Sequence, residues 1–190
     1  MVRKLTIHNP LEPFLAKPNE SLHLAEISRL LNEPHPTVRQ WLNYLETKGV
    51  LKKSNKGRLT LYSLNLQNPN IINHLVIAEK SKLIRKCEQW LLLGDLMGYT
   101  ISNFNENTKA LIFGSAAESF GSANDIDILI VGKQDLKGLF AVAKRLNKKI
   151  HPIAVKSLNG VSKALRNEII KKHILIKGTE DFIRWMVWSQ

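Results

Sequence analysis

The segment from Lys109 to Val131 constrains this chain more than any other. It reads KALIFGSAAESFGSANDIDILIV: an apolar run ends at Gly114-Ser115, and a second apolar run carries Asp125 and Asp127 among isoleucines. Alternate side chains of a strand share a face, so both carboxylates should point one way while the isoleucines face a core. The segment therefore predicts two strands joined by a turn, with two acids side by side.

The two carboxylates predict a metal-bound nucleotide. Acidic groups this close stay ionised together when a cation lies between them. Mg²⁺ takes carboxylate and phosphate oxygens, so Asp125 and Asp127 are expected to hold Mg²⁺ against a bound triphosphate. Gly114 lets the backbone approach closely, and Ser115 is expected to open a helix whose free N–H groups suit a phosphate.

The order of Gly114-Ser115, a helical turn and Asp125-x-Asp127 on the next strand resembles the signature of the DNA polymerase β-type nucleotidyltransferases, particularly the minimal archaeal and bacterial members. The resemblance implies that Gly114 and Ser115 bind the phosphates of a nucleoside triphosphate. It implies that Asp125 and Asp127 are catalytic and bind one or two Mg²⁺ ions. The reaction implied is transfer of a nucleotidyl group to a hydroxyl.

One part of that family's pattern is missing. Members ordinarily carry a third carboxylate on the strand after the Asp-x-Asp strand. The strand predicted over Lys149–Val155 has no acid, and His151 lies near the expected position. Glu118 and Asp135 are alternative acids, although neither matches the pattern. Two functions stay open: a Mg²⁺-dependent enzyme, and a regulator that keeps the fold as a nucleotide sensor or dimerisation platform.

The first third of the chain predicts a helix, a turn, a second helix and a basic hairpin. Ser21 is expected to cap the first helix, and the second is expected over Thr37–Lys48, ended by Gly49. A hairpin with its turn at 54–57 should follow. This order, with the phrase LETKGVL before the hairpin, resembles winged helix-turn-helix regulators of the ArsR/MarR kind over residues 11–66.

That second resemblance implies binding to double-stranded DNA, with the second helix in the major groove. The residues it assigns to the groove are His35, Thr37, Arg39, Gln40 and Asn43, and those it assigns to phosphates are Lys52, Lys53, Lys56 and Arg58. Two other interpretations remain: these are solvated faces, or the module docks another protein.

The sequence thus predicts two domains. A mainly α winged helix-turn-helix domain is expected over 1–66, a linker with one long helix from Ile71 to Leu96 over 67–104, and an α/β nucleotidyltransferase fold with a small mixed sheet over 105–190. The long helix either packs on one of the domains or pairs with its copy in a homodimer.

Charge and composition narrow the class of partner. The net charge is +12, and residues 1–66 carry ten basic and five acidic side chains, while 105–190 carry 14 and 8. This balance favours nucleic acid or nucleotide phosphates as partners. The single cysteine, Cys87, excludes an internal disulfide. With no long apolar run, the sequence predicts a cytoplasmic protein that does not enter a membrane.

Overall fold

The computed structural model describes residues 8–188. Within them the chain folds into two compact units. One contains the residues up to Ser81 together with Val187 and Trp188, and the other is Lys82–Met186. Each unit has its own sheet.

The N-terminal unit contains the predicted helix, turn, helix and hairpin. Its elements are a 3₁₀ turn (Asn9–Leu11), α1 (Glu12–Leu15), β1 (Leu22–His23), α2 (Leu24–Leu31), α3 (His35–Thr47), β2 (Leu51–Lys56), β3 (Leu59–Leu64) and the first part of α4 (Ile71–Gln89). The three strands form an antiparallel sheet in the order β1-β3-β2. Fully buried side chains from the helices and β2, including Phe14, Ile27, Leu42 and Leu51, form its core.

Two local predictions in this unit were wrong. The N-cap of α2 is His23, whose Nδ1 accepts a hydrogen bond from the Ala25 amide, whereas Ser21 precedes the short β1. In the hairpin, β2 continues to Lys56 and the turn consists of Gly57 and Arg58 alone. Gly57 adopts φ +61°, the left-handed backbone that a two-residue hairpin turn requires.

The C-terminal unit has the small mixed sheet that the sequence predicted. After α5 (Leu91–Asn103) come β4 (Lys109–Phe113), α6 (Gly114–Glu118), β5 (Asp125–Val131), α7 (Lys137–Arg145), β6 (Lys149–Val155), α8 (Lys163–Lys171), β7 (His173–Lys177) and α9 (Thr179–Trp188), whose last two residues belong to the N-terminal unit. The strand order is β6-β5-β4-β7. Strands β5 and β6 are parallel, and the other two pairs are antiparallel.

Both faces of this sheet contribute to the core of the unit, since Leu111, Leu129 and Leu175 on the other face are also at most 1% exposed. Ile126, Ile128 and Ile130 of β5 are at most 1% exposed and pack in one cluster with residues of α5, α6 and α7. Cys87 is half-buried against the same cluster, with its Sγ 3.7 Å from Sδ of Met97. The predicted inward face of β5 is therefore confirmed.

The single long helix expected from Ile71 to Leu96 is two helices. Trp90 adopts an extended backbone between α4 and α5. Nζ of Lys86 lies over the Trp90 ring, 4.6 Å from the ring centroid. Gly121 is so close to Trp90 that a Cβ added to this glycine would lie 3.3 Å from Nε1 of the ring. Periodicity did not reveal the break because only one residue leaves the helix. Among residues 8–188, no helix is long and apolar enough to cross a membrane.

We predict that Ile128→Ala lowers the free energy of unfolding of the C-terminal unit by about 2–5 kcal/mol, because the side chain is fully buried and its removal leaves a cavity. Ile153→Ala on the adjacent strand is the matched control, since Ile153 is 38% exposed, and its cost should be well below that of Ile128→Ala. Urea unfolding measures both. Equal losses would contradict the assignment of this core.

Candidate nucleotide site and nucleic-acid surface

The turn after β4 is built on Gly114. Phe113 ends β4 opposite Asp127 of β5, and the next residue, Gly114, has φ +69°. A Cβ added to Gly114 would lie 3.0 Å from Oδ2 of Asp127. Two features therefore favour glycine at this position: the left-handed backbone, and the Asp127 carboxylate, which leaves little room for a side chain.

Asp125 and Asp127 lie where the sequence placed them, on the outward face of β5. Both are half-buried, while Ile126 between them is fully buried. Ser115 is exposed on the first turn of α6, next to Gly114. The structure thus places the Asp127 carboxylate beside Gly114. Ser115 is the next residue after Gly114, and Asp125 lies two residues before Asp127 on the same face of β5. Helix α6 begins at Gly114 and has only five residues, so the phosphate-binding expectation depends on the amides of the turn.

The strand beside the two acids carries basic and neutral side chains. In the parallel pairing of β5 with β6, Asp125 lies opposite Lys149 and Asp127 opposite His151. Nδ1 of His151 is 3.5 Å from Oδ1 of Asp127. His151 therefore occupies the neighbouring position that the sequence predicted for it, and it contacts the second acid directly.

Glu118 and Asp135, the two alternative acids named from the sequence, form other interactions. Glu118, at the end of α6, forms an ion pair of 2.5 Å with Lys172. Asp135 follows the opposite end of β5 from Asp125, and its Oδ1 accepts the Lys137 amide at 3.0 Å. A strand rises about 3.3 Å per residue, so Asp135 lies far from Asp127.

Sequence reasoning missed Glu168, which lies close to the turn. Its Oε1 is 3.9 Å from the position that a Cβ on Gly114 would take, and Oδ2 of Asp127 is 3.0 Å from that same position. Glu168 belongs to α8, outside both strands of the motif, so no local pattern identified it. Lys149 was also missed, and only the register between β5 and β6 reveals that it lies opposite Asp125.

The donor set fits Mg²⁺, which is commonly bound by one or two carboxylates together with water and substrate phosphates. Asp125 and Asp127 supply two carboxylates on one face of β5, and the turn at Gly114 has no side chain to block a phosphate. Within residues 8–188, no group of three or more His, Cys, Asp or Glu side chains is already arranged to hold a metal ion. A bound metal would therefore need oxygens from the ligand or from side chains that move.

A cleft of about 790 Å³ opens beside Asp125. Its walls include Asp125 and His151 together with Lys144, Lys148 and Lys149. Phe140, which is 48% exposed, contributes an aromatic face. The cleft can therefore accept a molecule that carries negative charge and a flat or apolar group next to Asp125.

The residues predicted to contact DNA are displayed on the N-terminal unit. His35, Arg39, Gln40 and Asn43 are exposed on α3, and Thr37 is half-buried. On the hairpin, Lys52, Lys53, Lys56 and Arg58 are all exposed. Tyr62 of β3 donates to Oδ1 of Asn43 at 3.4 Å, and burial raises the pKa of the Tyr62 hydroxyl. The structure brings α3 and the basic hairpin together as two parts of one compact unit.

Comparison with known proteins supports the C-terminal part of this description. Residues 99–181 match the family model described as "Polymerase beta, Nucleotidyltransferase". The match includes both aspartates, the Gly114 turn and Glu168. It supports a nucleotidyltransferase fold for this segment, which is less than half of the chain. A search of curated proteins found no match.

Two solved structures resemble the chain weakly. Rv1404 from Mycobacterium tuberculosis is 15% identical, with a TM-score of 0.33, over 52% of this chain and 74% of that protein. TrmBL2, described as an archaeal chromatin protein with a novel mode of DNA binding, is 16% identical, with a TM-score of 0.28, over 85% of this chain and 68% of that protein. Likenesses this low assign neither fold nor function.

We predict that Gly114→Ala destabilises the C-terminal unit by about 1–3 kcal/mol, because alanine is strained at positive φ and its Cβ presses on Asp127. Gly94→Ala is the control. Gly94 lies within α5 with open space around it, so alanine should stabilise by about 0.5–1 kcal/mol. Chemical denaturation measures both variants. A Gly114→Ala protein as stable as the wild type would contradict the geometry of this turn.

Proposed function

We propose that the C-terminal unit binds a nucleoside triphosphate with Mg²⁺ and transfers its nucleotidyl group to a hydroxyl. The observation that carries this proposal is the contact of Asp127 with the bare turn at Gly114, inside a segment that matches the nucleotidyltransferase family. Gly114 and Ser115 are the phosphate-binding residues. Asp125 and Asp127 are the metal ligands.

The residues divide the chemistry between them. Backbone amides at Gly114 and Ser115 orient the phosphates, while Asp125 and Asp127 hold the metal on the outward face of β5. Bound Mg²⁺ would supply charge neutralisation and alignment of the attacking and leaving oxygens. The acceptor oxygen forms a bond to the α-phosphorus as the bond to pyrophosphate breaks. The hydroxyl proton passes to a carboxylate of the site or to water.

The cleft beside Asp125 is the proposed approach for the acceptor. It opens next to Asp125, and its lysines favour an acceptor that carries negative charge. Lys149, opposite Asp125 on β6, is positioned to pair with a phosphate at the same edge of the sheet.

A regulator that binds nucleotide without turnover is the second candidate. The observation that favours it is His151, which lies 3.5 Å from Asp127 on the strand where the family ordinarily carries its third acid. Imidazole is a poor Mg²⁺ ligand compared with a carboxylate. On this alternative the site senses nucleotide and the N-terminal unit acts on DNA.

Pyrophosphate release distinguishes the two candidates. The protein is incubated with Mg²⁺ and each labelled nucleoside triphosphate, in a cell extract that supplies hydroxyl acceptors. For the enzyme, Asp125→Ala or Asp127→Ala should reduce pyrophosphate release by about two orders of magnitude or more, as loss of a transition-state stabiliser does. Asp135→Ala, an exposed acid at the far end of β5, is the control and should retain activity. Nucleotide binding by the wild type without any release would instead support the regulator.

We propose that the N-terminal unit binds double-stranded DNA, with α3 in the major groove and the β2–β3 hairpin on the phosphates. Support comes from the exposed polar side chains of α3 and the exposed cations of the hairpin, held in one compact unit. Arg39 and Gln40 carry donors suited to base edges. Lys56 and Arg58, at the hairpin tip, suit phosphate contacts.

We expect DNA affinity to fall steeply with salt, since phosphate contacts release counterions. The double variant Lys56→Ala with Arg58→Ala should flatten the slope of log K against log salt by about two, one unit for each contact. Lys163→Ala with Lys171→Ala, which removes the same charge from exposed positions of α8, is the control and should leave the slope unchanged. Fluorescence anisotropy over a salt series measures it. Wild-type affinity independent of salt would contradict the proposal.

A further inference from the structure

We infer that Glu168 supplies the third carboxylate of the nucleotide site, from helix α8 rather than from a strand. This inference rests on the proposed function of the C-terminal unit. The side chains of β6 nearest the two aspartates are Lys149 and His151, and β6 contains no acidic residue. Any third carboxylate must therefore come from another element.

Glu168 is the acid that the fold brings to the turn. Its Oε1 and Oδ2 of Asp127 lie 3.9 and 3.0 Å from the same point above Gly114. Two carboxylates that approach one point repel each other, and a cation between them relieves the repulsion. The place between them is the bare surface of Gly114, where the proposed function puts the phosphates.

Helix α8 is fixed firmly enough to define where Glu168 lies. Ser162 caps it by accepting the Leu165 amide, and Ile169, next to Glu168, is fully buried. Arg166 donates from Nη2 to the carbonyls of Trp185 and Met186 at 3.1 and 3.0 Å. These contacts hold the helix backbone, while the exposed side chain of Glu168 can still rotate.

The carboxylate of Glu168 is also available to bind a ligand. It makes no hydrogen bond or ion pair with any of residues 8–188, in contrast to Glu118, which pairs with Lys172, and Glu180, which pairs with Arg184. Rotation about the side-chain bonds of Glu168 can therefore bring an oxygen to a bound cation without breaking a contact.

The test is metal binding, which needs no turnover. Mn²⁺ is titrated by electron paramagnetic resonance in the presence of α,β-methylene analogues of the four common ribonucleoside triphosphates, with the wild type, Glu168→Gln, Glu168→Asp and Asp127→Asn. Glu106→Gln, at an exposed loop position of the same unit, is the charge-matched control. Circular dichroism verifies that each variant is folded.

Glu168→Gln should weaken Mn²⁺ binding about tenfold or more, Glu168→Asp should retain part of the affinity, and Glu106→Gln should change nothing. Loss of binding in Asp127→Asn with unchanged binding in Glu168→Gln overturns the inference and leaves the proposed function standing. Equal weakening by Glu106→Gln and Glu168→Gln also overturns it, since the effect would then be one of net charge. A wild type that binds no Mn²⁺ with any analogue overturns the proposed function and the inference together.

Discussion

Alternation along β5 is the constraint on which the C-terminal unit depends. Ile126, Ile128 and Ile130 are buried in the core, and that burial turns Asp125 and Asp127 outward. A register slip of one residue would turn Asp125 and Asp127 into the apolar cluster that Ile126 and Ile128 now fill, and burying unpaired carboxylates is costly. The hydrophobic effect therefore fixes the direction of the acids before any ligand binds. Pairing with β4 then sets Asp127 against the turn at Gly114.

The same constraint explains why only part of the candidate site could be predicted from the sequence. Gly114, Asp125 and Asp127 lie in one continuous segment whose apolar and polar pattern determines both strands, so local sequence was sufficient. His151 could be placed because β6 is the next strand of an alternating fold. Glu168 could not, because α8 reaches the turn through packing of Ile169 and the contacts of Arg166, and neither has a local signature.

The predicted boundaries of two helices were wrong for a related reason. The sequence pattern continued through Trp90, yet this residue is extended, and its ring lies against Lys86 of α4 and close to Gly121, which follows α6. At α2, a serine was the expected cap, but Leu22 and His23 pair with β3 and move the start of the helix to Leu24. In both places tertiary contacts outweighed local propensity, which is worth well under 1 kcal/mol for an ordinary residue.

A third carboxylate on a helix has a different energetic consequence from one on a strand. If Glu168 completes the site, its flexible side chain must be ordered when the cation binds, and ordering a glutamate costs up to about 1.5–2 kcal/mol. That cost corresponds to a loss of affinity of at most about 10–30-fold. The cation should consequently bind weakly to the protein alone and tightly only when triphosphate oxygens join Asp125 and Asp127. Metal and nucleotide would then bind as one cooperative unit, and Glu168 would close over the turn at Gly114 when both are present.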